Sequence, residues 1–353
     1  MIFGKLSLRS RTVIAAVMFV LVFAALAVAA TYTDLDVSKL LTAGALGDGE
    51  YFASDVFGVG FEIFGSSPVF IIAGICVALV FWAVMRFLKL RPLRDILAVL
   101  LLAGAVLAFW FFFHDMFGYI AEHGIARSAE GADLTYLENA LTLVAVLCAL
   151  LAAAAVIFMF RRIKDDTLKR LMKFVFAFII MAVVANLIIA VVKVPVGRMR
   201  FRAMNSELGQ SMGGFDNFTA WYVINGQPSE SVLEAFKSAY GVSDAFKSFP
   251  SGHTCAAGMT YALIFLPDVL KMKNKPLRAV CWIFPVLFTG VVAISRIVVG
   301  AHYFSDVLFG GTIAFASMAL AREIVICKFS HFKCFKKNYL PETEEDLEAV
   351  TAE

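Results

Sequence analysis

Apolar runs of membrane-crossing length recur from one end of the chain to the other. At ~1.5 Å rise per residue about 20 apolar residues span a hydrocarbon core. The pattern predicts eight such helices, near residues 12–30, 68–85, 95–113, 138–160, 173–192, 252–269, 279–298 and 304–322. The fifth, FVFAFIIMAVVANLIIAVV, is interrupted only by Asn186. The expected fold is therefore all-α, a polytopic membrane helix bundle.

Between the runs, charge alternates in kind. Basic residues fill every other connection: Lys5, Arg9 and Arg11; Arg86, Lys89, Arg91 and Arg94; Arg161, Arg162, Lys164, Lys169 and Arg170; Lys271, Lys273, Lys275 and Arg278; Arg322, Lys328, Lys333, Lys336 and Lys337. Residues 31–67 carry only Lys39 among Asp34, Asp36, Asp48, Glu50, Asp55 and Glu62, and residues 114–137 carry only Arg127. The positive-inside rule then places both termini in the cytoplasm and the acidic connections outside. A missed or invented helix would break this alternation from that point on, so its persistence supports the whole set of spans.

Composition agrees and narrows the class. Of 353 residues 61% are hydrophobic and 17% charged, and the mean hydropathy of +0.82 lies far above that of a soluble domain. The partners to expect are membrane lipids, with no nucleic acid, and the oligomeric state is not legible. The first run has a basic start and an AVA at 27–29 that resembles a cleavage site. Its apolar length of about 19 residues is long for a cleaved signal and predicts a retained anchor; cleavage would leave seven spans in the same orientation. Six cysteines lie in or near spans or on the inner tail, with no CxxC spacing, so neither a disulfide framework nor a metal site is expected. The chain divides into an N-terminal two-helix extension at 1–94, a membrane core at 95–325 and a tail at 326–353, whose end, PETEEDLEAVTAE, reads as disordered.

The longest connection, 202–249, has helical spacing at positions 233, 236, 240 and 242 and an aromatic set, Phe215, Phe218, Trp221 and Tyr222, suited to a headgroup layer. A loop of this length is uncommon without a function. An interfacial anchor and a substrate-contacting lid both fit.

Three polar clusters are expected to meet at the outer surface. The fifth span ends in KVPVGRMRF, the sixth begins with FPSGH, and the seventh ends in SRIVVGAHYFSD. Lys193, Arg200 and Arg296 bring three positive charges, the complement of a phosphate's oxygens. Ser251 and Gly252 open a helix, where free N–H groups favour an anion. Two histidines, His253 and His302, can between them serve as a nucleophile and a general acid near neutral pH, with the roles open at this point. Asp306, four residues after His302, shares its face if a helix begins there, and its carboxylate can fix the imidazole tautomer.

KVPVGRMR, PSGH and SRIVVGAH with Asp306 resemble the three signature motifs of the type 2 phosphatidic acid phosphatase superfamily, KxxxxxxRP, PSGH and SRxxxxxHxxxD. The resemblance covers about residues 138–322 and implies a six-helix phosphatase-type core. It implies that His302 attacks phosphorus to form a phosphohistidine, that Asp306 orients it, and that His253 protonates the leaving oxygen and then activates water. Lys193, Arg200, Ser251, Gly252 and Arg296 would hold the phosphate, with no cofactor and no metal. Phe201 stands where the family has proline, and Met199 breaks its GRPRP run. Neither removes a catalytic group; the path of the loop that aims Arg200 is what they put in question.

Taken singly these residues have plainer readings. Lys193 and Arg198 would be snorkelling interfacial cations, His253 a helix cap, and His302 with Asp306 a structural ion pair. Arg198 is not the motif arginine and is kept as a headgroup contact. His114 and His123 read as solvated outer-loop residues, His331 as part of the inner tail. The function expected is an integral membrane lipid phosphatase acting at the outer face of a bacterial inner membrane. Phosphatidic acid, phosphatidylglycerol phosphate, undecaprenyl pyrophosphate and a lipid A phosphate all fit as substrates. A phosphotransferase would use the same phosphohistidine but pass the group to a lipid acceptor. A lipid transporter or scramblase would read the charges as a path, against their clustering at one surface.

Overall fold

A computed structural model describes residues 8–121 and 135–329. The expectations for His123, Arg127, His331 and the acidic end of the tail lie outside these residues. Among the described residues every regular element is helical, with one isolated bridge between Gly49 and Ser206.

The long elements are α1 (Leu8–Thr42), α3 (Ser67–Phe87), α4 (Arg91–Ile120), α5 (Thr135–Phe160), α6 (Asp165–Val196), α12 (Lys275–Val298) and α13 (Phe304–Val325). A short helix, α2 (Val56–Gly65), leads almost directly into α3. Among the described residues seven helices are long and apolar enough to cross a membrane. The eighth expected span is helical over its whole length but not regular. It runs as α10 (Gly252–Ala257), a 3-10 stretch (Gly258–Phe265) and α11 (Leu266–Val269). With ~1.5 Å per α residue and ~2.0 Å per 3-10 residue it extends roughly 30 Å. Its middle, residues 257–262, is wholly buried. A Cβ on Gly258 would stand 2.4 Å from Ala314 Cβ of α13, so the backbones meet there with no room for a side chain. Among the described residues the long elements are thus seven regular helices and this composite.

The core lies where α3, α6, the composite helix and α13 face one another, through residues such as Leu79, Phe174, Phe178, Met181, Met259, Phe265 and Met318. A smaller cluster joins α4 and α5 through Ala105, Phe109, Ala149 and Ala153. α1 lies along α13, with Phe23 packing on Phe309 at 5.1 Å and Phe19 on Phe315 at 5.5 Å. The outward faces are as apolar as the core: Val183, Leu187 and Val191 of α6 form an exposed stripe four residues apart. Such a stripe is costly in water and natural in lipid, where only the backbone needs internal satisfaction.

The two ends of the bundle differ in charge. At one, Arg86 at the foot of α3 donates to the carbonyls of Arg161 at 2.6 Å and Ile163 and to Asp165 at 2.9 Å, while Arg322 pairs with Asp268 at 2.9 Å. The basic connections therefore share an end. The opposite end carries a cap built from the long connection: α7 (Phe201–Asn205), α8 (Glu207–Ser211), a 3-10 turn (Gly214–Asn217) and α9 (Glu230–Tyr240). Phe215, Phe218 and Trp221 are docked on protein there, Phe215 against Phe201, Phe218 against Tyr303 and Trp221 against Phe309, so that of the aromatic set Tyr222 alone is largely exposed.

α6 ends at Gly197, whose φ of +57° is left-handed, and a Cβ there would fall 1.6 Å from the Gly226 carbonyl oxygen. That turn starts the first polar motif. Gly197→Ala meets about 1–2 kcal/mol of backbone strain before any clash. A markedly lower thermal midpoint in detergent is expected, and an unchanged midpoint would refute this account of the turn.

Candidate active site

Backbone hydrogen bonds draw the three motifs together. The extended segment leaving Gly197 pairs with residues 245–248: Arg200 N–H donates to Ala245 O at 2.8 Å and Ser248 N–H to Arg198 O at 3.0 Å. Arg202 N–H donates to Gly300 O at 2.9 Å, and Ser251 N–H to Asp306 O at 2.9 Å. Ala301 and His302 N–H both reach Arg296 O, closing the turn between α12 and α13. These bonds bring the three motifs together at one end of the bundle.

His302 is fully buried. Its Nδ1 lies 2.7 Å from the Ser248 carbonyl and 3.7 Å from Asp306 Oδ2. A carbonyl only accepts, so Nδ1 carries the proton and Nε2 presents its lone pair. That Nε2 is buried and, among the described residues, without a hydrogen-bond partner. Burial pushes the His302 pKa down to about 3, against the pull of the Asp306 carboxylate and with Arg200 and Lys193 pushing the same way. The imidazole is thus neutral at physiological pH, the state a nucleophile needs. The tautomer is set by the Ser248 carbonyl, where the sequence pointed to Asp306; the carboxylate stands beyond hydrogen-bond reach of the ring.

Asp306, in the first turn of α13, has other work. It accepts from Ser248 Oγ, from Tyr303 N–H at 2.9 Å, and from Arg198 Nη1 at 2.7 Å. Arg198 is 1% exposed. Its Nη1 also reaches Ser305 Oγ at 2.8 Å, its Nη2 reaches Asp34 Oδ2 at 2.9 Å, and its Nε donates to Thr219 O at 2.9 Å. The guanidinium lies over the Tyr303 ring, 4.1 Å from its centre. An arginine so fully engaged has nothing to offer a headgroup, and that expectation is withdrawn.

The remaining expected residues fall as follows. Lys193 Nζ lies beside Gly252, 3.3 Å from where a Cβ would stand. Ser251 is buried and caps α10, accepting from Thr254 N–H at 3.3 Å. Half-buried His253 has Nε2 3.2 Å from Tyr119 Oη, at the end of α4. Arg200 pairs with Asp244 at 2.7 Å and also donates to its carbonyl. Arg296 is buried against α2, with Nη1 2.9 Å from Glu62 and Nη2 donating to Gly58 O at 2.6 Å. Phe201 begins α7 as its first helical residue, where the N–H of an ordinary residue needs no intrahelical partner and proline is merely convenient. It is buried against Phe215. His114 is exposed on α4 with its ring stacked on Trp110.

Asp34, Glu62, Tyr119, Asp244 and Ser248 were not singled out by sequence reasoning. Asp34 had a usable signal. α1 continues to Thr42, and Ala30, Asp34, Ser38 and Thr42 recur every fourth residue as a buried stripe. Glu62 is the single charge in the apolar ten residues of α2.

Fold and site together define a helical multi-pass membrane protein with a buried histidine among cations. Residues 170–326 match the family model described as the PAP2 superfamily, which supports placing a PAP2-type domain in that segment. The domain marks it as a phosphatase-type enzyme. The match begins inside α6, later than the motif resemblance suggested, and leaves α1–α5 outside. No solved structure matches the chain.

Two outcomes follow from the buried charges. Asp34→Ala leaves Arg198 half-compensated and is expected to cost on the order of 3–5 kcal/mol, whereas Asp36→Ala, at an exposed position, stays within about 0.5 kcal/mol; denaturation in detergent checks both. His302 binds no proton in the fold until about pH 3, against 6.5 for an ordinary histidine. Its contribution is therefore fully present above pH 6.5 and is lost as pH falls toward 3, at up to ~1.4 kcal/mol per pH unit. Between pH 6.5 and 5 the wild type should lose stability faster than His302→Gln, and parallel curves would contradict the assignment.

Proposed function

We propose that this chain is an integral membrane lipid phosphatase that works through a phosphohistidine. The observation that carries the reading is the His302 Nε2, buried, neutral and unpartnered, inside a PAP2 domain. In the first half-reaction the Nε2 lone pair attacks phosphorus and the bond to the leaving oxygen breaks, while His253 gives that oxygen a proton. In the second, His253 takes a proton from water, the resulting hydroxide attacks phosphorus, and the N–P bond breaks to release phosphate. Lys193, Arg200, Arg296, Ser251 and Gly252 hold the transferring group. Fixed cations and N–H groups aimed at its oxygens stabilise the charge that spreads over them in the transition state. Asp306 acts indirectly, holding Ser248 and Arg198 in place.

The substrate that fits is an amphiphile whose terminal phosphate lies at the interface while its tail stays in lipid. Phosphatidic acid, phosphatidylglycerol phosphate, undecaprenyl pyrophosphate and a lipid A phosphate share that form. The site stands at the end of the bundle opposite the basic connections, which supports placing it at the outer face of an inner membrane with both termini in the cytoplasm. On this reading residues 1–94 brace a core at 95–325, with a tail at 326–353.

Purified protein in detergent and EDTA is expected to release inorganic phosphate from lipid mono- or diphosphates, and His302→Ala to lower the rate by about 10³-fold or more. Equal rates for the two proteins would sink the mechanism. Label from the substrate appearing in a second lipid, instead of in free phosphate, would move the assignment to a phosphotransferase.

A further inference from the structure

α2 sets a carboxylate against an arginine that the motif assigns to phosphate. Gly58 and Gly65 lie seven residues apart on one face of α2, and that face is pressed onto the outer half of α12 and the turn beyond it. A Cβ on Gly58 would stand 2.3 Å from Val299 Cγ1, and one on Gly65 would stand 2.9 Å from Val292 Cγ1. Glu62, one turn after Gly58, is delivered by this contact to Arg296 at 2.9 Å. Gly58 itself gives its carbonyl to Arg296 Nη2. Both arms of the guanidinium fork, the arms that would grip two phosphate oxygens, therefore face α2.

The two groups hold Arg296 differently. The bond to Gly58 O is aligned at 2.6 Å. Nη1 stands 2.9 Å from Glu62 Oε1, a contact between opposite full charges. Arg198 differs in that two carboxylates accept from it. Arg200 contrasts in another way, because the Asp244 side chain is 41% exposed while that of Glu62 is 6%. Water and salt screen the first pair and hardly touch the second. Glu62 is thus a buried counter-charge standing where an incoming anion would meet Arg296.

We propose that Glu62 is the resident anion of the phosphate pocket: it neutralises Arg296 while the site is free and is the group that substrate phosphate displaces. The inference rests on reading the pocket as a phosphate site. It makes Glu62 a specificity-determining residue supplied from outside the segment that matches the family model. Displacing the carboxylate costs every anion the same, so Glu62 sets a threshold. A phosphodiester, the group of bulk phospholipid, brings one charge and gains little by taking the carboxylate's place. A terminal phosphate brings close to two charges near neutral pH and gains more. Return of the carboxylate then helps the product phosphate to leave.

Glu62→Gln keeps the shape and removes the charge. Calorimetry with inorganic phosphate measures binding without turnover, and inhibition of lipid phosphate hydrolysis by inorganic phosphate and by diethyl phosphate measures it during turnover. In Glu62→Gln phosphate is expected to bind about tenfold tighter, the order found for close buried charge pairs, and diethyl phosphate to become a competitive inhibitor. Glu62→Asp, with the charge drawn back by one methylene, should fall between. A merely structural role would weaken binding or leave it alone. Unchanged or weaker phosphate binding in Glu62→Gln, or in Glu62→Asp should the first variant not fold, overturns the proposal. Tighter phosphate binding in a protein that hydrolyses no lipid phosphate would instead sustain it and overturn the phosphatase reading.

Discussion

The structure depends on one buried guanidinium. Arg198 carries a full charge where almost no water reaches it, and such a charge costs several kcal/mol unless it is paired and hydrogen-bonded. Two carboxylates compensate it, Asp34 from α1 and Asp306 from α13, and the set has one negative charge in excess. The excess is absorbed by donors that themselves belong to the site. Ser305 N–H and Oγ serve Asp34, while Ser248 Oγ and Tyr303 N–H serve Asp306. α1, the start of α13, the 245–248 segment and the loop at Thr219 must all be in place for Arg198 to be satisfied. Removing one element leaves a charge uncovered, which is why the elements assemble together.

The same network explains how His302 is aimed. Asp306 accepts from Arg198, Ser248 and Tyr303, and its Oδ2 stands 3.7 Å from the His302 Nδ1. The proton goes to the Ser248 carbonyl instead. Ser248 thus links the two, its hydroxyl on the carboxylate and its carbonyl on the imidazole. A backbone acceptor fixes the tautomer as firmly as a carboxylate would, and burial, with Arg200 and Lys193 nearby, keeps the imidazole neutral against the pull of Asp306.

Much of this could be read from the chain. The seven regular spans were legible because lipid demands continuous apolar length. The composite helix was legible as a span but not as an irregular one, since the crowding of Gly258 against Ala314 is a tertiary fact. That Lys193, His253, Arg296, His302 and Asp306 stand at or near helix ends was legible through their spacing; their roles are not decided by that placement. Asp34 and Glu62 were hidden by their company: among Asp36, Asp48, Glu50 and Asp55, a buried carboxylate reads as one more solvated charge. Arg198 was misread for the converse reason, because an arginine at a helix end normally reaches for water. Phe201 looked like a defect only because the helical turn that begins there was not visible in the sequence.

The cations at this end of the bundle do not form one pool. Arg198 is locked by four well-directed bonds and serves the architecture. Among the described residues Arg200 and Arg296 each pair with a carboxylate from outside the motifs, the one exposed and the other buried. Lys193 stands at the start of α10 beside Gly252. An anion entering here finds its partners graded by how much must be given up to free them. A charge that is permanently paired can position but cannot bind, and one never paired would burden the fold with an uncovered cation. On the proposed reading Arg200 and Arg296 lie between these extremes, and Asp244 and Glu62, which the family's motifs do not include, share with them in setting the pocket's affinity.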